Sequence, residues 1–174
     1  GGATFGNDHL VSTPATVPVF FGTITAGSSG GLSVSGYPSL AVDKSNGPNA
    51  GTAYAVWMTR VTGDCDIVCS RSSNFGASWS TPVRVNDDSI ANGRDQFFSW
   101  VAVDEHGFVN VVYLDRRHDP SNLFCDVYFA QSRDGGISFK NYRITSQSFD
   151  PSINYNADVR FGDCAIRVPV CRRN

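Results

Sequence analysis

Apolar runs of strand length recur along this chain, each broken by clusters of Asp, Asn, Gly and Pro, and the second half of the pattern repeats the first. Tyr37 to Asp43 (YPSLAVD) aligns with Phe98 to Asp104 (FSWVAVD), two apolar runs that each end in an aspartate turn. Thr52 to Met58 (TAYAVWM) aligns with Phe108 to Leu114 (FVNVVYL), and Cys65 to Ser70 (CDIVCS) with Cys125 to Ala130 (CDVYFA). A shorter run closes each copy, Thr81 to Val85 and Lys140 to Ile144. Short runs rich in Val, Ile, Tyr and Phe, bounded by turn formers, predict strands, four to a copy. Four antiparallel strands repeated about every 60 residues are the pattern of β-propeller blades, each of which needs neighbours to bury both faces.

Between the third and fourth runs of each copy lies the same octapeptide, Ser72-Ser73-Asn74-Phe75-Gly76-Ala77-Ser78-Trp79 and Ser132-Arg133-Asp134-Gly135-Gly136-Ile137-Ser138-Phe139. The shared pattern S-x-[DN]-x-G-x-S-[WF] resembles the Asp-box, or bacterial-neuraminidase repeat, of sialidases and sialidase-like β-propellers. The resemblance implies that the short Asp or Asn side chain caps its own turn, that Gly takes the tight backbone and that the aromatic packs between sheets. Ser72, Asn74, Gly76, Ser78 and Trp79, with Ser132, Asp134, Gly136, Ser138 and Phe139, are structural turn residues on this reading. Gly1 to Phe5 (GGATF) reads as the tail of a third, cut copy.

The resemblance implies an all-β propeller of four-stranded antiparallel blades, of which this chain supplies about half of a roughly six-bladed ring. Residues 1–35 form a partial blade and connector, 36–86 and 97–145 two full blades, and 146–174 the start of a further blade or a tail foreign to the family. The last stretch, from Cys164 to Asn174, is basic and lacks the apolar strand expected there. An open half-ring exposes apolar blade faces, so either a homodimer closes the ring or the sequence is a piece of a longer protein.

The composition, 41% hydrophobic and 17% charged over 174 residues, is that of a globular domain and excludes a disordered chain. No apolar run approaches the roughly 20 residues of a membrane-spanning helix, so no membrane partner is expected. A net charge of -2 with the signs interspersed offers no footprint for nucleic acid. Five cysteines leave at least one unpaired within a monomer, and no C-x-x-C or His/Cys cluster stands ready for zinc. Cys65 and Cys69 share a strand face at a separation too long for a disulfide, while Cys65 and Cys125 occupy equivalent places and read as structural. Neither a metal nor a cofactor is expected. A secreted or periplasmic location follows only from the resemblance.

Antiparallel order puts the octapeptide turns on one rim and the second-to-third and fourth-to-first loops on the other, which the resemblance makes the ligand face. Its densest polar group is Asp115-Arg116-Arg117-His118-Asp119-Pro120, joined by Asn92-Gly93-Arg94-Asp95-Gln96. Arginine's planar fork suits a carboxylate, so Arg94, Arg116, Arg117 and His118 are the candidate substrate-binding residues and Asp115 and Asp95 the candidate acid/base groups. A sialoside or another glycan is the guest the resemblance implies. The competing reading makes Asp95, Asp115, Arg94 and Arg116 salt bridges that pin long loops. Sialidases use an arginine triad, a Tyr nucleophile assisted by Glu, and an Asp acid/base, outside the usual two-carboxylate scheme. Here the single glutamate, Glu105, falls on the opposite rim, Tyr155 matches a nucleophile by loop position alone, and the triplet Arg167-Val168-Pro169 follows the last octapeptide instead of preceding the first. Two functions therefore stand side by side: a sialidase-type glycoside hydrolase, and a non-catalytic carbohydrate- or protein-binding module with Phe97 and Tyr155 as stacking platforms.

Overall fold

The computed structural model describes residues 9–11, 22–26, 30–34 and 36–151. Strands β1 (Gly22–Ala26) and β2 (Gly30–Val34) pair as an antiparallel hairpin. Next come β3 (Ser39–Val42), β4 (Ala53–Thr59), β5 (Asp66–Ser72) and β6 (Val83–Arg84), which form one four-stranded antiparallel sheet in chain order. A second sheet of the same order takes β7 (Gln96–Val103), β8 (Val109–Asp115), β9 (Asp126–Ser132) and β10 (Lys140–Arg143). Among the described residues there is no helix, and neither sheet closes on itself.

The strands fall on the runs read from the sequence, with shifted ends. The third strand of each copy runs on to the first serine of the octapeptide, Ser72 and Ser132, and β7 begins at Gln96. A bulge between Phe97 and Trp100, with Phe98 at a φ of 53°, extends β7 at that end. It turns Phe97 into the core and leaves Trp100 outside. The β1–β2 hairpin was not expected as such; the Thr-Ile-Thr alternation running into Gly-Ser-Ser carried its signal. Gly1 to Phe5, Tyr155, Cys164, Cys171, Arg167-Val168-Pro169 and the rest of the C-terminal stretch lie outside the described residues.

Register makes the two sheets equivalent residue by residue. Ala53 pairs with Ser72 and Val109 with Ser132, so Val56 corresponds to Val112, Trp57 to Tyr113 and Thr59 to Asp115. The main core lies between the sheets, where Tyr54, Val56, Met58, Ile67 and Cys69 of the first meet Phe97, Val101, Val111, Tyr113 and Ala130 of the second. On its other face the first sheet buries Ala55, Trp57 and Val68 under Trp79 and Val11. This double burial explains why β4 and β5 are almost continuously buried, whereas β8 and β9 alternate. Cys65, Cys69 and Cys125 are buried free thiols, and burial pushes Cys69 up to about 12, out of reach of thiolate chemistry.

The two octapeptide turns are built alike. Ser72 Oγ donates to Asn74 Oδ1 and accepts from Gly76 N, and Ser132 Oγ does the same with Asp134 Oδ1 and Gly136 N. Gly76 and Gly136 sit at φ of 85° and 78°, a region closed to most side chains. The sixth-position amide and the Ser78 or Ser138 region close each turn: Asn74 Oδ1 accepts from Ser78 N, and Asp134 Oδ1 from Ile137 N and Ser138 N. The difference is charge. Asn74 Nδ2 donates to Ser78 Oγ, whereas Asp134 Oδ2 accepts from Ser138 Oγ. Slight burial works against ionisation of Asp134, but these hydrogen bonds outweigh it and lower its carboxyl to about 2.

A depressed carboxyl adds stability that is present above the ordinary value near ~3.9 and is lost as pH falls toward the folded-state value. Asp134→Asn, which imitates the first turn, is expected to erase that part of the acid sensitivity. Urea unfolding of both proteins between pH 5 and about 2 should show their stability difference shrinking as pH falls; a constant difference would refute the assignment.

Candidate functional site

At the end of the sheets opposite the octapeptide turns, the β4–β5, β6–β7 and β8–β9 connections come together, and each third strand opens with a buried aspartate, Asp66 or Asp126. Arg84 Nε donates to Asp66 Oδ1 at 2.6 Å, and Arg143 Nη2 donates to Asp126 Oδ1 at 2.8 Å. Two residues beyond each arginine, Asn86 Oδ1 and Thr145 Oγ1 accept the amides of Ile67 and Val127, at 2.9 and 3.2 Å. Thr62 Oγ1 donates to the other oxygen of Asp66; at the matching oxygen of Asp126, His118 Nδ1 stands 2.9 Å away. Sequence reasoning missed both Arg–Asp pairs. Their signal was the repeat itself, Cys-Asp at 65–66 and 125–126 against Arg84 and Arg143 in the matching fourth strands.

Asp115 ends β8, wholly buried at 0% exposure. Its Oδ1 accepts from Arg117 N at 2.7 Å and Gln96 Nε2 at 3.4 Å, and its Oδ2 accepts from Arg117 Nε at 2.9 Å. Burial raises its carboxyl above the ordinary range, and the contacts with Arg117 pull only partly the other way. Arg117 then reaches across to the first sheet's trailing loop, where Nη1 pairs with Asp87 and Nη2 lies 3.8 Å from Asp88. Its guanidinium stacks on the Tyr128 ring at 4.2 Å, a cation–π contact. Burial opposes its charge, but Asp115 and Asp87 override this and raise it further. Asp88 is itself held by Arg84, Asn86, Asn92 and Gln96.

Of the other sequence candidates, Asp95 is buried with both oxygens engaged, Oδ1 by Cys65 N at 2.9 Å and Oδ2 by Asn122 Nδ2 at 2.7 Å. It ties the β4–β5 loop, the inter-sheet connection and the β8–β9 loop together. Arg116, at 0% exposure, stacks over Phe97 at 5.0 Å, donates to Asn122 O at 2.7 Å and approaches Cys125 Sγ at 3.4 Å. Phe97 is therefore sealed under Arg116 and is no stacking platform, a correction to the expectation from its loop position. Arg94 is half-buried, and its guanidinium donates to Gly93 O at 3.3 Å. His118 has 46% of its side chain exposed while anchored to Asp126, and its Nε2 stands 3.4 Å from Tyr128 Oη. Burial works against ionisation of Asp126, yet His118, Arg143, Thr145 and Ser148 hold its carboxyl below the ordinary range. Glu105 sits in the β7–β8 turn on the far rim, next to His106.

The rim is thus a polar lattice in which buried aspartates hold arginines, and two of the named side chains, Arg117 and His118, reach the surface from buried anchors. Among the described residues no group of three or more His, Cys, Asp or Glu is placed to hold a metal ion. Arg117→Ala would strand the buried Asp115 carboxylate, at a cost of about 3 kcal/mol or more. Arg94→Ala should stay within about 0.5 kcal/mol of the parent. Denaturant unfolding measures both, and equal losses would overturn this account.

No protein-family model and no curated protein matches the chain. Solved structures do. Hadza microbial sialidase Hz136 superposes with a TM-score of 0.51 at 21% identity, over 66% of this chain and 27% of that one. A leech intramolecular trans-sialidase, solved with 2,7-anhydro-Neu5Ac, gives a TM-score of 0.45 at 17% identity, over 62% of this chain and 14% of its own. A protein of unknown function from Dyadobacter fermentans gives 0.43 at 17%, over 65% and 29%. The chain spans less than a third of the length of each. Its likeness to the first is one of fold: an all-β, sialidase-like domain.

Proposed function

We propose that the two sheets are consecutive blades of a sialidase-like β-propeller, joined through turns of Asp-box type, and that their loop rim binds carbohydrate without hydrolysing it. One observation carries the second half of this reading: both candidate acid/base groups are consumed by the fold. Asp95 has both oxygens in hydrogen bonds and Asp115 is fully buried against Arg117. A general acid must come within about 3 Å of the proton it delivers, which neither carboxyl does without rearrangement of the rim.

Binding asks for less. Exposed polar edges fixed by buried partners recognise sugar hydroxyls at little entropic cost. His118 on Asp126 and Arg117 on Asp115 are such edges, and the exposed Asp87 carboxylate beside Arg117 adds an acceptor. Arg94, which makes no ion pair within 4 Å among the described residues although its charge acts on Asp119, is the residue suited to an anionic sugar's carboxylate. Sialidase-type hydrolysis is the second reading, favoured by the raised carboxyl of Asp115.

Titration with 3'-sialyllactose and with lactose, followed by NMR shifts, separates the readings when run beside a fluorogenic sialoside assay. The expected result is saturable shifts of rim residues, weakened at least about fivefold by His118→Ala for both sugars. Arg94→Ala should weaken the sialylated sugar alone. Release of sialic acid that Asp115→Asn abolishes would replace binding by hydrolysis, and an absence of shifts with either sugar would remove the carbohydrate assignment.

A further inference from the structure

The chain contains two Asn-Gly pairs, Asn46-Gly47 and Asn92-Gly93, and the fold treats them differently. Asn92 and Gly93 lie in the β6–β7 connection on the loop rim. Asn92 Oδ1 accepts from Arg94 N at 2.7 Å, an Asx turn that lays the carboxamide alongside the Asn92–Gly93 peptide. Gly93 N, in that same peptide, donates to Asp64 Oδ2 at 2.8 Å. Asn92 Nδ2 donates to Asp88 Oδ2 at 2.6 Å, which holds the carboxamide in place. Gly93 is exposed at a φ of 73°, and a Cβ there would meet no atom within 4 Å, so the peptide is open to water.

A nucleophile, a base and an oxyanion donor are thus assembled around one carbonyl carbon. We propose that Asn92 is a self-modification site, converted to aspartate and isoaspartate through a succinimide, with Asp64 as the base. Gly93 N attacks Cγ of Asn92 as Asp64 Oδ2 takes its proton, and Arg94 N stabilises the oxyanion that forms on Oδ1. The bond from Cγ to Nδ2 then breaks, the proton taken by Asp64 returns through water to that nitrogen, and ammonia leaves. One water molecule opens the ring at either carbonyl and gives aspartate or isoaspartate. No other reactant enters, and folding supplies an orientation that a free chain lacks. At the other pair, Gly47 N donates to the neutral Ser45 Oγ at 3.0 Å, and residue 48 is proline, with no N–H to close the same turn or to stabilise an oxyanion.

The product matters because of where Asn92 sits. An aspartate there turns a carboxylate toward Asp88, which also holds Arg84 and lies 3.8 Å from Arg117. Like charges replace a hydrogen bond, and the isoaspartate lengthens the main chain by a methylene, so the connection loosens as the protein ages. The reaction depends on the loop's own contacts and not on carbohydrate binding, so the failure of either leaves the other standing.

Incubation of the whole chain at neutral pH in heavy-oxygen water, folded or in urea, tests it when followed by tryptic peptide mapping, because residues 45–60 and 85–94 form separate peptides. In the folded protein label should enter at Asn92 at least about tenfold faster than at Asn46, and urea should remove that advantage. Asp64→Asn keeps an acceptor for Gly93 N but is no base, and should slow Asn92 at least about tenfold without changing Asn46. Equal rates at the two asparagines in the folded protein, an Asn92 that reacts faster in urea, or a rate indifferent to Asp64→Asn would overturn the proposal. Should Asp64→Asn fail to fold, the folded and unfolded parent decide the same question between them. Asn92→Asp, which imitates one product, should lower the urea midpoint; an unchanged midpoint would overturn the effect on the rim.

Discussion

A β-sheet with large side chains on both faces has to be covered twice, and that requirement organises this molecule. The first sheet meets it, between the second sheet on one side and Trp79 with Val11 on the other, and its strands are apolar almost without interruption as a result. The second sheet meets it once, and its strands alternate. Stacking also fixes where the loops go. With all strands antiparallel and the two sheets in the same chain order, the connections that carry polar residues converge at one end, and the octapeptide turns are held at the other.

Convergence creates the second constraint. Asp66, Asp95, Asp115 and Asp126 are buried where the connections meet, and a buried carboxylate left alone costs several kcal/mol. Each is supplied with donors: Arg84, Cys65 N with Asn122, Arg117, and Arg143 with His118. The lattice pins long loops without helices. It also limits chemistry, because arginines spent on internal carboxylates have little attraction left for a ligand's carboxylate. Such a rim favours recognition by hydrogen bonding at its exposed edges.

Much of the fold was legible in the sequence because its determinants are local and duplicated. Turn residues at fixed spacing and apolar runs of strand length locate themselves, and a second copy checks each boundary; the strands consequently deviate by a residue or two at their ends. The β1–β2 hairpin was less legible, since it has no second copy to align with. At the site, residue type and loop put Asp115 and Arg117 on one rim, where the structure also has them, but burial is a tertiary property that no spacing reveals. Phe97 and Trp100 make the point: a bulge at Phe98 decides which aromatic is sealed under Arg116 and which meets solvent. Arg84 and Arg143 were legible in principle, since both fourth strands carry an arginine at the same repeat position, but a strand-end arginine shows its aspartate partner only once the register is known.

The duplication also serves as an internal control on what the rim is for. Were the charged residues of the β8–β9 loop needed only to build a sheet end, the β4–β5 loop would need them too. It has Arg60 and Asp64 but neither the second arginine nor the histidine, and its strand ends on Thr59 instead of an aspartate. Thr59 stands where Asp115 is, the exposed Arg60 precedes Val61 where the buried Arg116 precedes Arg117, and Thr62 makes the bond to Asp66 that His118 makes to Asp126. A hydroxyl thus suffices to cap the strand aspartate, and the charges of the first sheet's loop are an exposed arginine, Arg60, and a buried aspartate, Asp64, whose Oδ2 accepts from Gly93 N. Where the first copy has Val61 and Thr62, the second has a guanidinium and an ionisable ring anchored on buried aspartates, at the added desolvation cost of Asp115. At Arg117 and His118 the second copy therefore carries more ionisable groups than the end of the first sheet needs to close its own loop.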